Sequence, residues 1–230
     1  MSLDKKFEDL FLNVSIKAAL SSYHFVGKKD KIAADKSAVD AMRNKLNEIE
    51  MRGKVVIGEG ELDEAPMLYI GETLGTMNGP ELDIAVDPLE GTNFAANNQP
   101  GALSVIAVAE KSNLFSAPET YMNKISANVP SEGIIDLDYS VKKNISNLAD
   151  YKNKQPNELS ACILDRPRHK KIIEELRNLK VNLKLISDGD VSGALLVSDK
   201  KYNIDIFMGI GGGPEGCLLY TSDAADEGWC

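Results

Sequence analysis

Asp87 and Glu90 stand at the end of an apolar run, Leu82-Asp83-Ile84-Ala85-Val86-Asp87-Pro88-Leu89-Glu90-Gly91-Thr92. The run has strand character and delivers both carboxylates to the point where the strand is expected to stop. Pro88 has no N–H to give to a sheet ladder, and Gly91 permits a tight turn. Carboxylates that leave a strand end together are what a hard divalent cation needs, because Mg²⁺ and Mn²⁺ take oxygen ligands. The same residues would also serve as an acidic surface turn, so partners elsewhere in the chain decide between the two readings.

Such partners exist. Asp35 stands near a predicted helix start, where it is either a ligand or an N-cap. Glu59, Glu61, Asp63 and Glu64 crowd the turn after a predicted strand, and Gly58 and Gly60 let the backbone approach a ligand closely there. Asp188-Gly189-Asp190 follows another strand, where an Asp-Gly turn is the plainer account. The run Gly209-Ile210-Gly211-Gly212-Gly213-Pro214-Glu215-Gly216 resembles a dinucleotide loop only superficially, because Pro214-Glu215 interrupts the G-x-G-x-x-G plan. It reads better as a glycine-rich turn that adds one carboxylate, Glu215. Arg166-Pro167-Arg168-His169 supplies the complement, since guanidinium forks bind phosphate oxygens bidentately; solvated charges on a helix-entry turn are the alternative. Tyr121 offers a hydroxyl for binding, or plain packing.

Other chemistries fare badly. The only histidines are His24 and His169, with no acid–base spacing around them. Cys162 lies inside an apolar strand and reads as an inert core thiol. The chain has neither a G-x-S-x-G elbow nor a Walker A lysine. Catalysis by a carboxylate-held metal is what remains.

The elements that position these groups follow from periodicity. Phe7, Leu10, Phe11, Val14 and Ala18 predict a helix over about 4–22, and Val39, Met42, Leu46 and Ile49 a second from about Asp35. Strands are expected at 54–57, 82–87 and 102–109, with a helix from Pro66 to about Thr73. Residues 112–158 are broken by prolines, with a helix expected near 140–150. Beyond them, strands at 159–164, 183–186 and 204–208 alternate with helices at 172–179 and 191–197. That rhythm predicts an α/β half with a largely parallel sheet. The expected division is an N-terminal α+β part over 1–155 and an α/β part over 156–216.

The chain has 230 residues, 43% apolar and 27% charged, with a net charge of −9. This composition suits a globular protein and argues against a nucleic-acid or anionic-membrane surface. Phosphate substrates stay open, because a metal or a local cation cluster reverses the field inside one cleft. No apolar run approaches the ~20 residues of a membrane span. The three cysteines show neither disulfide nor zinc spacing, and the N-terminus resembles neither a signal nor a transit peptide, so a cytoplasmic location is expected.

Several long motifs resemble the class II (GlpX-type) fructose-1,6-bisphosphatases. They are residues 56–72 and 83–92, Ala117-Pro118-Glu119-Thr120-Tyr121-Met122, Pro167-Arg168-His169, Asp188-Gly189-Asp190 and Gly209-Ile210-Gly211-Gly212. The shorter Asp-Pro-x-Glu-Gly-Thr element also resembles the wider lithium-sensitive sugar and inositol phosphatase superfamily. The resemblance implies the layered α/β fold of the inositol monophosphatase/fructose-1,6-bisphosphatase superfamily. It implies metal ligation by Asp35, Glu59, Asp87, Glu90 and Glu215, with two or more Mn²⁺ or Mg²⁺ ions. Substrate contacts map onto Glu90, Gly91, Thr92, Tyr121, Arg166, Pro167, Arg168, Asp188, Gly189, Asp190 and Gly212. Lys31, Asp63 and Thr92 map near the attacking water. The implied reaction is hydrolysis of the 1-phosphate of D-fructose 1,6-bisphosphate, giving fructose 6-phosphate and phosphate, by a homo-oligomer. Sedoheptulose 1,7-bisphosphate as a second or sole substrate, an inositol-type monophosphatase, and an inactive fragment are the alternatives.

Three departures stand out. Arg166 occupies a position where the family often has Lys, and Gly213 replaces the usual Ala. From Cys217 the family is expected to continue for roughly another small domain. Residues 217–230 resemble translated sequencing adapter instead and are expected to be non-native, which would leave the chain truncated, poorly soluble or inactive.

Overall fold

The structure, a computed structural model, describes residues 5–58, 67–115, 120–129 and 133–220. The chain divides into two compact units, residues 1–119 and 120–230. The division expected at 155 falls inside the second of them.

In the first unit, helix α1 (Lys6–Tyr23) turns Phe7, Phe11, Val14 and Ala18 inward at helical spacing. Helix α2 (Lys31–Leu46) adds Ala34, Ala38, Val39, Met42 and Leu46 to the same core. Both helices pack on a four-stranded sheet in the order β2-β1-β3-β4. Its strands are β1 (Arg52–Ile57), β2 (Thr73–Leu74), β3 (Glu81–Glu90) and β4 (Leu103–Glu110). β3 is central, parallel to β1 and antiparallel to β4, and every residue after Glu81 is buried. Near-continuous burial is why this strand reads as an apolar run rather than an alternating one.

The expected helix from Pro66 to Thr73 is not formed by the described residues 67–73. Gly71 and Gly75 take φ of 95° and 100°, and Thr73–Leu74 pair with β1 instead. Arg43 of α2 holds this segment by an ion pair to Glu72 at 2.7 Å and a hydrogen bond to the carbonyl of Met67. Tertiary anchoring therefore overrides the local helix signal.

In the second unit, β5 (Tyr121–Ser126), β6 (Ser160–Leu164), β7 (Asn182–Ile186) and β8 (Ile206–Gly212) form a sheet ordered β5-β8-β6-β7. β6 runs parallel to β7 and β8, as the β-α-β rhythm predicts, and β5 is antiparallel to β8. Helices α4 (Val141–Lys152) and α5 (Lys170–Asn178) cover it, sharing a core with Ile145, Leu148, Leu159, Leu176 and Ile206.

Asp205, just before β8, is buried and takes hydrogen bonds from Lys152 at 2.7 Å, Lys154 at 3.2 Å and the Ser160 N–H at 2.9 Å. Burial raises its pKa, but the bonds from Lys152 and Ser160 outweigh that and hold it below the usual carboxylate range. A depressed folded pKa gives stability that is present above the unfolded value and lost as the pH falls through the folded one. Asp205→Asn should therefore destabilise by about 2–3 kcal/mol at pH 7, with the gap narrowing below about pH 4. Thermal melts of both proteins across pH check this. A gap independent of pH would count against it.

Candidate active site

Residues three apart on a regular strand point to opposite faces. Asp87 and Glu90 do not follow that rule, because the β3–β4 register shifts between them: Asp87 pairs with Val105 and Glu90 with Leu103. Three steps on β3 oppose two on β4, which is a bulge at Pro88-Leu89. Val105 and Leu103 share a face of β4, so their partners share that face too. Pro88, expected to end the strand, instead supplies the irregularity that lines up both carboxylates. Both side chains are buried.

Gly91 follows with φ of 77° and opens helix α3 (Thr92–Ala96), which places Thr92 directly after the two carboxylates. A Cβ at Gly91 would lie 2.7 Å from the Phe94 ring. Gly91→Ala should therefore cost about 1–3 kcal/mol from the left-handed backbone, more if Phe94 cannot move. A chemical-denaturation midpoint equal to the parent's would refute this.

Asp35 does not cap its helix. Asp30 is the N-cap of α2 and accepts from the Ala33 N–H at 2.9 Å. Asp35 lies one turn further in, on a helix packed against β3 and α3. Burial raises its carboxyl pKa, and among the described residues its Oδ1 is buried without a hydrogen-bond partner. Lys31, the first residue of α2, is exposed. Glu59 and Asp63 lie outside the described residues, as do Glu61 and Glu64.

The second unit gathers the other predicted contacts. Gly209 to Gly212 form the end of β8 rather than a loop, and Glu215 sits in the first turn of α7 (Gly213–Tyr220). The glycines admit close neighbours. A Cβ at 209 would stand 3.2 Å from His169 Nε2, and one at 211 would stand 1.5 Å from Asp190 Oδ2.

His169 is fully buried; its Nδ1 lies 2.7 Å from the Leu164 carbonyl, and its Nε2 accepts from the Ile210 N–H at 2.8 Å. The ring thus pins the Arg166–His169 turn to β8. Arg168 Nε donates to the Ile210 carbonyl at 2.6 Å, and its guanidinium lies 5.0 Å over the Tyr121 ring. Tyr121 pairs with Gly212 across β5 and β8. Arg166, preceding Pro167, forms an ion pair with Asp188 at 3.5 Å. Gly189 takes φ of 83° and starts helix α6 (Asp190–Leu195), with Asp190 buried at its head.

Sequence reasoning missed Lys124. Its ammonium is buried between Asp190 at 2.6 Å and Glu215 at 3.1 Å. Nothing in Tyr121-Met122-Asn123-Lys124-Ile125-Ser126 announces a buried lysine, since its pairing depends on elements over sixty positions away.

Among the described residues, no group of three or more His, Cys, Asp or Glu side chains is assembled to hold a metal. The donor chemistry nonetheless suits a hard divalent cation. Asp35, Asp87 and Glu90 are oxygen donors on packed elements of one unit, and Asp35 carries a buried oxygen that a cation would satisfy. Burial pushes the Cys162 thiol up to about 12, against an opposing effect of Lys184, which disfavours a thiolate there.

Two curated relatives share the name D-fructose 1,6-bisphosphatase class 2/sedoheptulose 1,7-bisphosphatase. The Synechocystis sp. protein is 45% identical over 219 residues, covering 90% of this chain and 64% of that protein. The Microcystis aeruginosa protein is 46% identical, with the same coverage of each. The chain thus spans about 64% of the length of these relatives. Among solved structures, the MJ0109 gene product, an inositol monophosphatase-fructose 1,6 bisphosphatase, superposes with a TM-score of 0.46 at 12% identity, over 96% of this chain and 84% of that one. The family profile described as bacterial fructose-1,6-bisphosphatase, glpX-encoded, matches residues 6–225, and the chain belongs to that family.

Proposed function

We propose that this chain carries the site for metal-dependent hydrolysis of the 1-phosphate of D-fructose 1,6-bisphosphate, yielding fructose 6-phosphate and phosphate. The observation that carries the reading is the β3 bulge, which turns Asp87 and Glu90 to one face immediately before Gly91-Thr92. Family membership and the relatives' names support the substrate class.

Asp35, Glu59, Asp87 and Glu90 in the first unit are the ligands this reading assigns to divalent ions, two or more of Mn²⁺ or Mg²⁺, and Glu215 is the ligand it assigns in the second. Such ions neutralise phosphoryl oxygens, acidify the attacking water and stabilise the leaving alkoxide. The chain's own residues do the rest. The Thr92 hydroxyl orients the attacking water and passes its proton towards Asp63, with Lys31 close to the same step. Thr92 is too weak an acid to be the terminal base. Arg166 and Arg168 bind the distal phosphate, and Tyr121, Asp188, Asp190 and the backbone at Gly189 and Gly212 hold the sugar. In-line attack at phosphorus then needs positioning and charge neutralisation more than covalent chemistry.

Sedoheptulose 1,7-bisphosphate is the second reading, favoured by the relatives' double name. The reading extends to a homo-oligomer working in the cytoplasm, supported by the family resemblance. Phosphate release from the two sugar bisphosphates and from inositol monophosphate, with Mn²⁺, tests the assignment. Both bisphosphates should turn over well ahead of the monophosphate. Equal turnover of the monophosphate would contradict it. The comparison is made on this chain and on the Synechocystis relative at its own full length.

A further inference from the structure

Arg168 is exposed, yet its side chain is already placed, with Nε donating to the Ile210 carbonyl at 2.6 Å and the guanidinium over the Tyr121 ring. An exposed arginine is ordinarily spread over many rotamers, so the aim of its fork is only as fixed as the carbonyl it holds. β6 and β8 pair at Ala161–Ile206 and Cys162–Phe207. Ile210 lies beyond that ladder, and side chains serve its backbone instead. Arg168 takes its carbonyl, and the next residue, His169, takes its N–H at 2.8 Å.

His169 is fully buried, with Nδ1 2.7 Å from the Leu164 carbonyl. A carbonyl offers no proton, so Nδ1 carries one and donates it. Nε2 is left with the lone pair that accepts from Ile210. The tautomer matters, because Nε2 also stands 3.0 Å from the Ile210 carbonyl. A proton on Nε2 would point at the oxygen that Arg168 holds.

We propose that His169 is a positioning residue for recognition of the distal phosphate: by holding the Ile210 N–H it fixes the carbonyl on which Arg168 is aimed. The inference rests on the proposed role of Arg168 at that phosphate. The Leu164 bond selects the tautomer, the tautomer leaves the Ile210 carbonyl to Arg168, and the guanidinium is ordered before any ligand arrives. Binding then spends less on ordering a long side chain. His169 touches no substrate atom in this scheme. It contributes to the preference for bisphosphates over monophosphates through Arg168 alone.

The test separates the two ring nitrogens. His169→Asn keeps a donor for Leu164 and loses the acceptor for Ile210, whereas His169→Gln keeps the acceptor and loses the donor. Each variant gives up one buried bond, so a merely structural role would treat them alike. The first readout is the Arg168 Nε–H signal in a nitrogen–proton NMR spectrum of the ligand-free protein, assigned by its loss in Arg168→Lys. It should exchange slowly with water in the parent and in His169→Gln, and fast in His169→Asn. The second is kinetic. With Mn²⁺, His169→Asn should raise KM for fructose 1,6-bisphosphate about three- to tenfold, the ordering cost of one long side chain, with kcat much less affected. His169→Gln should stay near the parent, and in an Arg168→Ala background His169→Asn should add nothing. Equal behaviour of the two variants, a loss confined to kcat, or a His169→Asn protein that fails to fold would overturn the proposal. A parent that hydrolyses no bisphosphate would overturn the proposed function instead, and the Arg168 signal would still decide the positioning.

Discussion

Asp87→Asn should lower turnover about a thousandfold while the protein still folds. The substitution keeps size and shape in β3 and removes one charge from the face that the bulge creates. If Asp87 helps to hold the ion that neutralises the phosphoryl group, its loss removes several kcal/mol of transition-state stabilisation, and each 1.36 kcal/mol is about tenfold in rate. Glu90→Gln should cost a similar amount, and the double variant little more, because groups that act as a unit are not additive. The checks are kcat against Mn²⁺ concentration and direct Mn²⁺ binding. Near-parent turnover with parent-like Mn²⁺ affinity would show that the bulge presents its carboxylates for some other purpose.

Arg168→Ala should raise KM for the bisphosphate about 10–100-fold and leave kcat much less affected. The side chain is oriented before any ligand arrives, by its bond to the Ile210 carbonyl and its place over Tyr121. A charge-assisted bond to phosphate contributes about 1.5–3 kcal/mol, which sets the size of the effect. Lys should restore it only partly, because the ammonium lacks the planar fork and the ring contact. The signature lies in selectivity: the preference for bisphosphates over monophosphates should shrink in parallel with the rise in KM. A loss confined to kcat would place Arg168 at the reacting phosphate rather than the distal one.

Most elements were legible because their cores are regular. Phe7, Phe11, Val14 and Ala18 are a helical stripe, and strands β6, β7 and β8 sit where the βαβ rhythm puts them. The failures have particular causes. Pro88 reads as a strand terminator, yet β3 absorbs it as a bulge and runs on to Glu90. Gly209 to Gly212 read as a loop, yet they are strand, and their missing side chains make room for His169 and Asp190.

β5 escaped notice because a half-exposed edge strand between prolines carries no apolar run, and its one buried residue is a lysine. The proposed site is read from residue types alone. Nothing local in the sequence indicates that the bulge turns Asp87 and Glu90 to a common face, or that Lys124 stands between Asp190 and Glu215.

The most direct test of the central claim is the product of fructose 1,6-bisphosphate hydrolysis, followed by phosphorus NMR with Mn²⁺ and again after chelation. Loss of the C1 phosphate signal with fructose 6-phosphate retained, only while Mn²⁺ is present, is the expected result. Fructose 1-phosphate as product, or release that survives complete chelation, would contradict it.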